Sequence, residues 1–358
     1  MRKFNKKSLK LVCLMLTIVM LFTVLPVWAV GEEYVIERNP LPRVPIAVAE
    51  LEASILLIEE FSTDMENVTE IRNIAEFQQA VRENYPNMPN YELARTILRA
   101  LGDTDEQIDT MPRQMVLYAL NYTAVVKTDS FFGVTYGGEK IEMTREEFDA
   151  SVAISKASED IQSINPFWNP PPSDDRIHGN LILRTRIFRT GATPQFPNRF
   201  QIRAEAEWIT LPFFRGENML AIGHTSTANI DNSFNSHAEV RYLSIHGAWW
   251  DRADRHSNGR YIRMSPEING MAVRYFLEAG SGTLGSQVNS PVRLWHNITI
   301  PTGNTTNVMV GYGHRGLHFF GSMSVSISGS GPSISFSPGV STTTFTGWPL
   351  AVSWNMGM

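Results

Sequence analysis

The sequence predicts an α+β protein in two domains: an N-terminal helical domain followed by an all-β sandwich or jelly-roll-like domain. Three observations point there. Charge divides the chain: residues 30–173 carry 25 acidic and 11 basic side chains, whereas residues 174–358 carry 11 acidic and 15 basic ones. All 15 of those bases are arginine, all eight histidines lie in the same half, and no acid follows Glu278. The second observation is "NPFWNPPPSDD" at 165–175, where three consecutive prolines stop a helix and favour an extended linker. The third is a change of hydrophobic period, from about 3.6 before this stretch to about 2 after it. The expected organisation is a signal peptide over 1–29, an acidic helical domain over 30–164, a linker over 165–175 and an arginine-rich β domain over 176–358.

Residues 1–29 read as a targeting segment. Arg2, Lys3, Lys6, Lys7 and Lys10 form a basic start, Leu11 to Leu25 is apolar, and Pro26-Val27-Trp28-Ala29 supplies a small-residue cleavage pattern before Val30. The apolar run is short for a spanning helix. Export to the cell exterior or wall is the expectation. Cys13 is the only cysteine in the sequence and falls in this segment, so the exported chain is expected to lack disulfides, a thiol nucleophile and Cys-ligated zinc.

In the acidic half, Ala47 to Phe61 carries Val48, Leu51, Ile55 and Ile58 on one stripe, and Val68 to Asn84 carries Ile71, Ile74, Phe77 and Val81 at helical spacing. Asn90 is placed to cap a third helix, closed by Gly102. A fourth spans Met111 to Leu120, with Pro112 in its first turn. "FFGVTYGGEKIEM" (131–143) predicts a hairpin around Gly137-Gly138, and Thr144 with Glu147 predicts a capping box opening a last helix to about Ile161. The acids fall mostly on the polar sides of these helices, as on a solvated face.

In the basic half, strands are expected over 180–188, 199–209, 238–245, 259–264, 271–279, 291–300 and 307–313, where β-branched and aromatic residues alternate between turn residues. "STTTFTG" (341–347) adds another. "GSMSVSISGSGPSISFSPG" (321–339) predicts a hairpin with an apolar and a serine face. A bilayer-crossing strand needs about 9–11 residues. The second arm holds only Ser333 to Ser337 before Pro338, so the hairpin is expected to lie on a sandwich with its serines in water.

Among the candidate sites, Trp249-Trp250 stands out, because adjacent residues of a strand face opposite sides and Arg252 follows closely. Arg255 and Arg260 extend the basic stretch. An exposed Trp beside arginine suits a sugar ring or a lipid headgroup, and guanidinium pairs bidentately with carboxylate and phosphate. The expected partners are a wall polyanion, an acidic glycan or an anionic lipid; an alternative use of the positive charge is docking of the chain's own acidic half. A net +4 is a weak footprint for nucleic acid. A metal alternative uses His246, Asp251 and His256, with His237 and Glu239 two apart in a strand, which makes a metal-dependent hydrolase the enzymatic reading. His224 reads as structural. Gly280–Gly285 and Gly311–Gly316 match Gly-x-Gly-x-x-Gly, but neither opens a helix, so both read as turns and no cofactor is expected. Nucleophile-elbow, zinc-protease and P-loop patterns do not occur in the sequence.

"WITLPFFRGENMLAIGH" (208–224) and "VGYGHRGLHFFGSMSVSISGSGPSISFSPG" (310–339) resemble segments of secreted, uncharacterised proteins of Gram-positive bacteria. The resemblance covers the C-terminal half and implies export and a β-rich C-terminal domain. The reading as a whole is a secreted or wall-associated, non-catalytic binding protein contacting a polyanionic or glycan surface, with a membrane-active protein inserting the serine hairpin, or a metal-dependent extracellular hydrolase, as the alternatives.

Overall fold

The structure is a computed structural model. It describes residues 60–62, 68–135, 137–162, 176–190, 198–212, 217–231, 236–239, 241–244, 249–251, 262–267, 269–277, 286–287, 291–315, 324–328, 333–337 and 342–356. In chain order, β1 (Glu60–Ser62) and β2 (Val68–Ile71) precede α1 (Ile74–Asn84), α2 (Asn90–Ala100), α3 (Asp105–Asp109) and α4 (Arg113–Tyr118). Then come β3 (Tyr122–Thr135), β4 (Lys140–Met143) and α5 (Arg145–Gln162). The remaining strands are β5 (Ile177–Thr190), β6 (Arg199–Thr210), β7 (Glu217–His224), β8 (Asn229–Ile230), β9 (His237–Glu239), β10 (Arg241–Ser244), β11 (Trp249–Asp251), β12 (Ile262–Glu267), β13 (Gly270–Phe276), β14 (Ser286–Gln287), β15 (Val292–Thr299), β16 (Thr305–Arg315), β17 (Ser324–Ser328), β18 (Ser333–Ser337), β19 (Thr342–Thr346) and β20 (Leu350–Ser353).

Two antiparallel sheets face each other. The first runs β1-β2-β3-β5-β6-β15-β8, with β4 also on β3 and β9 also on β15; the second runs β12-β13-β7-β16-β19, with β20 also on β16. Ile187, Ile202 and Leu294 of the first meet Leu220, Val273 and Val310 of the second in one core. Burying such side chains between two sheets is the main stabilising term of a sandwich.

The described acidic-half helices build a core cluster that Phe188 and Trp295 of the other half complete. β3, which precedes residues 165–175, pairs with β5, which follows them, from Tyr122↔Thr190 to Thr135↔Ile177. α1, α2 and α4 lie on the outer face of the first sheet, where Phe77, Leu93, Ile97 and Met115 pack with Val125, Phe188 and Trp295. Tyr122 stacks on Phe188 at 4.0 Å between centroids. The helical and β parts are layers of one structure, and the described residues all fall within 46–358, a single unit by its internal contacts.

Several local expectations need correction. Val68–Ile71 is a strand, and the helix expected from Val68 starts at Ile74. The helix expected over Ala47 to Phe61 lies outside the described residues except at its end, where Glu60–Ser62 is strand. Asn90 is the first helical residue and makes no cap; Pro89 occupies that position, and Gly102 ends the turn at φ +94°. The capping box expected at Thr144 is present, with Glu147 N–H donating to Thr144 Oγ1 at 3.2 Å and Thr144 N–H to Glu147 Oε2 at 2.9 Å. Gly311 and Gly313 sit inside β16, not in a turn.

The serine hairpin forms a two-stranded sheet, with Val325↔Phe336 and Ile327↔Ile334 opposite each other. It lies on the outer face of the second sheet, where Ile334 and Phe336 pack on Met219, Ala221 and Ala272. Glycines make the approach possible: a Cβ on Gly223 would stand 2.9 Å from Ile327 Cγ2, and one on Gly311 3.1 Å from Ile334 Cγ2. Ser326, Ser333 and Ser335 are exposed. Alternation thus divides the hairpin into a docked apolar face and a wet serine face.

Candidate functional site

Of the site residues expected from sequence, Trp249, Trp250 and Asp251 form β11, with backbone pairs Leu243↔Trp249, Tyr242↔Trp250 and Arg241↔Asp251. Arg252, Arg255, Arg260, His246 and His256 lie outside the described residues. Among the described residues no group of three or more His, Cys, Asp or Glu is arranged to hold a metal. His237 and Glu239 are buried neighbours on β9, but Glu239 accepts from Arg293 Nη1 at 3.3 Å and His237 tilts on Trp295.

The densest chemistry among the described residues is a charged ladder on the outer face of the first sheet, beneath the helices. Arg186 on β5 donates to Asp129 on β3 at 2.6 Å. Arg184 on β5 bridges Glu205 and Glu207 on β6. Arg293 on β15 donates through Nε to Glu205 Oε2 at 2.6 Å. Arg203 on β6 makes a bidentate pair with Asp103, which follows α2, at 2.9 and 2.6 Å. The cover adds Gln107 to Glu205 at 3.3 Å and accepts Arg293 Nη1 on Thr110 Oγ1 at 2.8 Å. Burial alone would raise the Glu205 carboxyl, but Arg293, Arg184 and Arg203 hold it well below the usual carboxylate range. Burial would lower the Arg203 guanidinium, but Asp103 raises it. Each acid of the ladder has a guanidinium, so the arrangement fixes sheet to helices.

The inside of the sandwich is apolar in the middle and polar at its ends. At one end Trp208 Nε1 donates to Tyr312 OH at 2.8 Å, Tyr312 OH donates to Asn218 Oδ1 at 2.8 Å, and His314 Nδ1 also meets Asn218 Oδ1 at 2.8 Å. At the other end His224 and His296 stack at 5.6 Å. Ser236 Oγ lies 3.0 Å from His296 Nδ1, and His224 Nδ1 donates to Thr225 O at 3.0 Å. Burial, with His224 alongside, pushes His296 down to about 3. A histidine that stays neutral to that point is a poor base for activating Ser236 at neutral pH, so this Ser–His contact reads as structural.

Trp208 and Trp295 are core. Trp348, between β19 and β20, is 52% exposed, and its backbone N–H lies 3.4 Å from Ser130 Oγ on β3. Sequence reasoning missed it because "TGWPL" shows no period; the flanking Gly347 and Pro349 are the only signal, marking a turn that can present a side chain outward.

No helix among the described residues is long and apolar enough to cross a membrane. No family model matches the chain, and no curated protein matches it. Solved structures resemble parts of it. ACE19, the collagen-binding subdomain of the Enterococcus faecalis surface protein ACE, is 8% identical, with 42% of this chain and 86% of that one covered at a TM-score of 0.23. The C-terminal domain of the Streptococcus pyogenes antigen I/II-family protein AspA is 7% identical, with 53% and 87% covered at 0.24. Clostridium perfringens delta-toxin is 9% identical, with 64% and 91% covered at 0.22. At these TM-scores the likeness carries nothing about partner or activity.

Proposed function

We propose that this chain is a non-catalytic binding protein of the cell exterior that contacts a glycan-bearing surface through exposed aromatic side chains. The exposure of Trp348 carries this reading. A large apolar ring held in water beside polar groups is the feature that sugar-ring stacking uses. The arginines favour it indirectly. Arg184, Arg186, Arg199, Arg203, Arg274, Arg293 and Arg315 are all paired with the protein's own carboxylates, which leaves less free guanidinium for a wall polyanion than the composition implies. Trp249, Trp250, Arg252, Arg255 and Arg260 remain the sequence-derived part of the contact surface. The basic and apolar N-terminal segment supports export.

Co-sedimentation of the full chain with isolated Gram-positive cell walls across a salt series tests the reading. Binding that survives high salt and falls at least tenfold in Trp348→Ala supports it. Binding abolished by salt and indifferent to Trp348 assigns the contact to polyanion charge instead. Absence of binding at any salt removes a wall glycan as the partner.

A further inference from the structure

Arg189 is the buried arginine that lacks a carboxylate. Among the described residues Arg95, Arg186, Arg203, Arg293 and Arg315, all similarly buried, each face at least one Asp or Glu. Arg189 is 6% exposed, and its guanidinium makes one hydrogen bond, from Nη1 to the Met356 carbonyl at 3.0 Å. Its Nε–H is buried with no partner. Burial pushes this guanidinium below its ordinary value, and no carboxylate among the described residues pairs with it. A carbonyl meets one donor but does not compensate a full charge removed from water.

Arg189 lies one residue from the end of β5, opposite Phe200 and on the face that packs between the sheets. The ladder continues one step past β6, with Ile300 N–H donating to Asn198 O at 3.0 Å. That register puts Asn198 diagonally across from Arg189 on the same face. Asn198 Nδ2 donates to Thr302 Oγ1 at 3.1 Å, while its Oδ1 is buried without a partner. One orphan donor carrying an uncompensated charge and one orphan acceptor therefore lie on the same face at this end of the sandwich, and of the two only the guanidinium suits an anion. The place is distinct from Trp348: Ala124, opposite Arg189, lies roughly 20 Å along β3 from Ser130.

We propose that Arg189 is an anion-binding site that takes a small oxyanion, a carboxylate or phosphate group, on its Nε–Nη2 edge. That edge presents two parallel donors matched to two oxygens. A buried water would satisfy Nε–H and leave the charge, so the two occupants predict different anion responses.

The test is thermal unfolding of the full chain in chloride, with phosphate or acetate exchanged in at constant ionic strength. Wild type is expected to show a saturable rise of several degrees, larger with whichever oxyanion fits. Arg189→Met is expected to lose the rise and, in chloride alone, to melt at or above wild type, because an uncompensated buried charge is gone. Wild type indifferent to both oxyanions, or Arg189→Met responding as wild type does, overturns the site. If Arg189→Met does not fold, the Arg189 Nε–H resonance, assigned with Arg189→Lys, decides: a saturable shift with phosphate or acetate supports the site, and its absence overturns it.

Discussion

On the outer face of the first sheet, Arg203 grips Asp103 and Arg293 grips Glu205 beneath the helices; on the outer face of the second, Ile327 and Ile334 lie against Gly223 and Gly311. Both faces are covered, but the covers differ in kind. The helical cover combines an apolar patch with directional, fully paired charges, which fix one position of helices on sheet. The hairpin cover is apolar contact on a glycine and alanine surface, and among the described residues the hairpin shares no ladder hydrogen bonds with the sheet below. Cover by charge is costly to break at a single atom. Cover by shape is sensitive to volume and indifferent to charge.

Asp103→Ala breaks the first cover most severely. It leaves Arg203 buried without its counter-charge, a loss of about 3–5 kcal/mol. Urea unfolding should report it. Replacing both partners by apolar residues, Asp103→Leu with Arg203→Met, should recover most of that loss, since neither buried charge then remains. A double variant as unstable as the single one would show that the pair is not the coupling element.

Acid sharpens the comparison. His296 has a folded-state value of about 3 against about 6.5 unfolded, so the unfolded chain takes up a proton that the folded chain refuses. Stability should fall as pH drops below about 6.5, by up to about 1.4 kcal/mol per pH unit from this one group. Glu205, held low by its arginines, adds the opposite kind of group with the same outcome: its contribution is present above about 4.3 and is lost as pH falls toward its folded value. The sandwich interior at His296 and the helical cover at Glu205 should therefore both weaken at low pH, whereas the hairpin contributes no ionisable group from Ser324–Ser328 or Ser333–Ser337 and should keep more of its protection. Hydrogen exchange at pH 4 and pH 7 distinguishes them; equal loss of protection in both would refute the contrast.

Gly311→Val attacks the second cover. A Cβ there already meets Ile334 at 3.1–3.2 Å, so a branched side chain must lift the hairpin. The expected cost is about 1–3 kcal/mol, with cleavage by a protease between β17 and β18 rising more than unfolding does. A variant as resistant as wild type would mean that the hairpin is held by something other than this contact.

The legibility of the two covers in the sequence follows from the same physics. The hairpin was readable with its two faces, because one buried and one wet face force strict alternation. The 131–143 hairpin and the Thr144 box were readable because they are local. The first nine residues of β3 and all of β7 were not: "YTAVVKTDS" and "ENMLAIGH" are covered on both faces, so alternation is erased. The Thr104–Gln107 box was overlooked in a short acidic segment. "RFQIRAEAEWI" reads as a strand with a wet charged face, yet Arg203 and Glu205 are buried, and their partners Asp103 and Arg293 stand far off in sequence. Pairing at that distance leaves only the compositional trace, an acidic half and an arginine half. That trace suggested two domains; Arg203–Asp103 and Arg186–Asp129 cross it, whereas Arg184, Arg274, Arg293 and Arg315 pair with carboxylates of their own half.

Trp348→Ala should have the smallest effect on stability and is for that reason the most informative about contact. The ring is half exposed, lies in neither cover, and its anchoring contact comes from the backbone, so truncation should change stability by no more than about 0.5 kcal/mol. An Asp103→Ala protein that fails to bind walls would say nothing about the binding surface, since its helical cover is compromised. A Trp348→Ala protein with an unchanged melt and weakened wall binding would place the contact at the β19–β20 turn. Intact binding would leave the sequence-derived Trp249-Trp250 stretch as the remaining aromatic candidate, and Trp249→Ala with Trp250→Ala would then carry the same test.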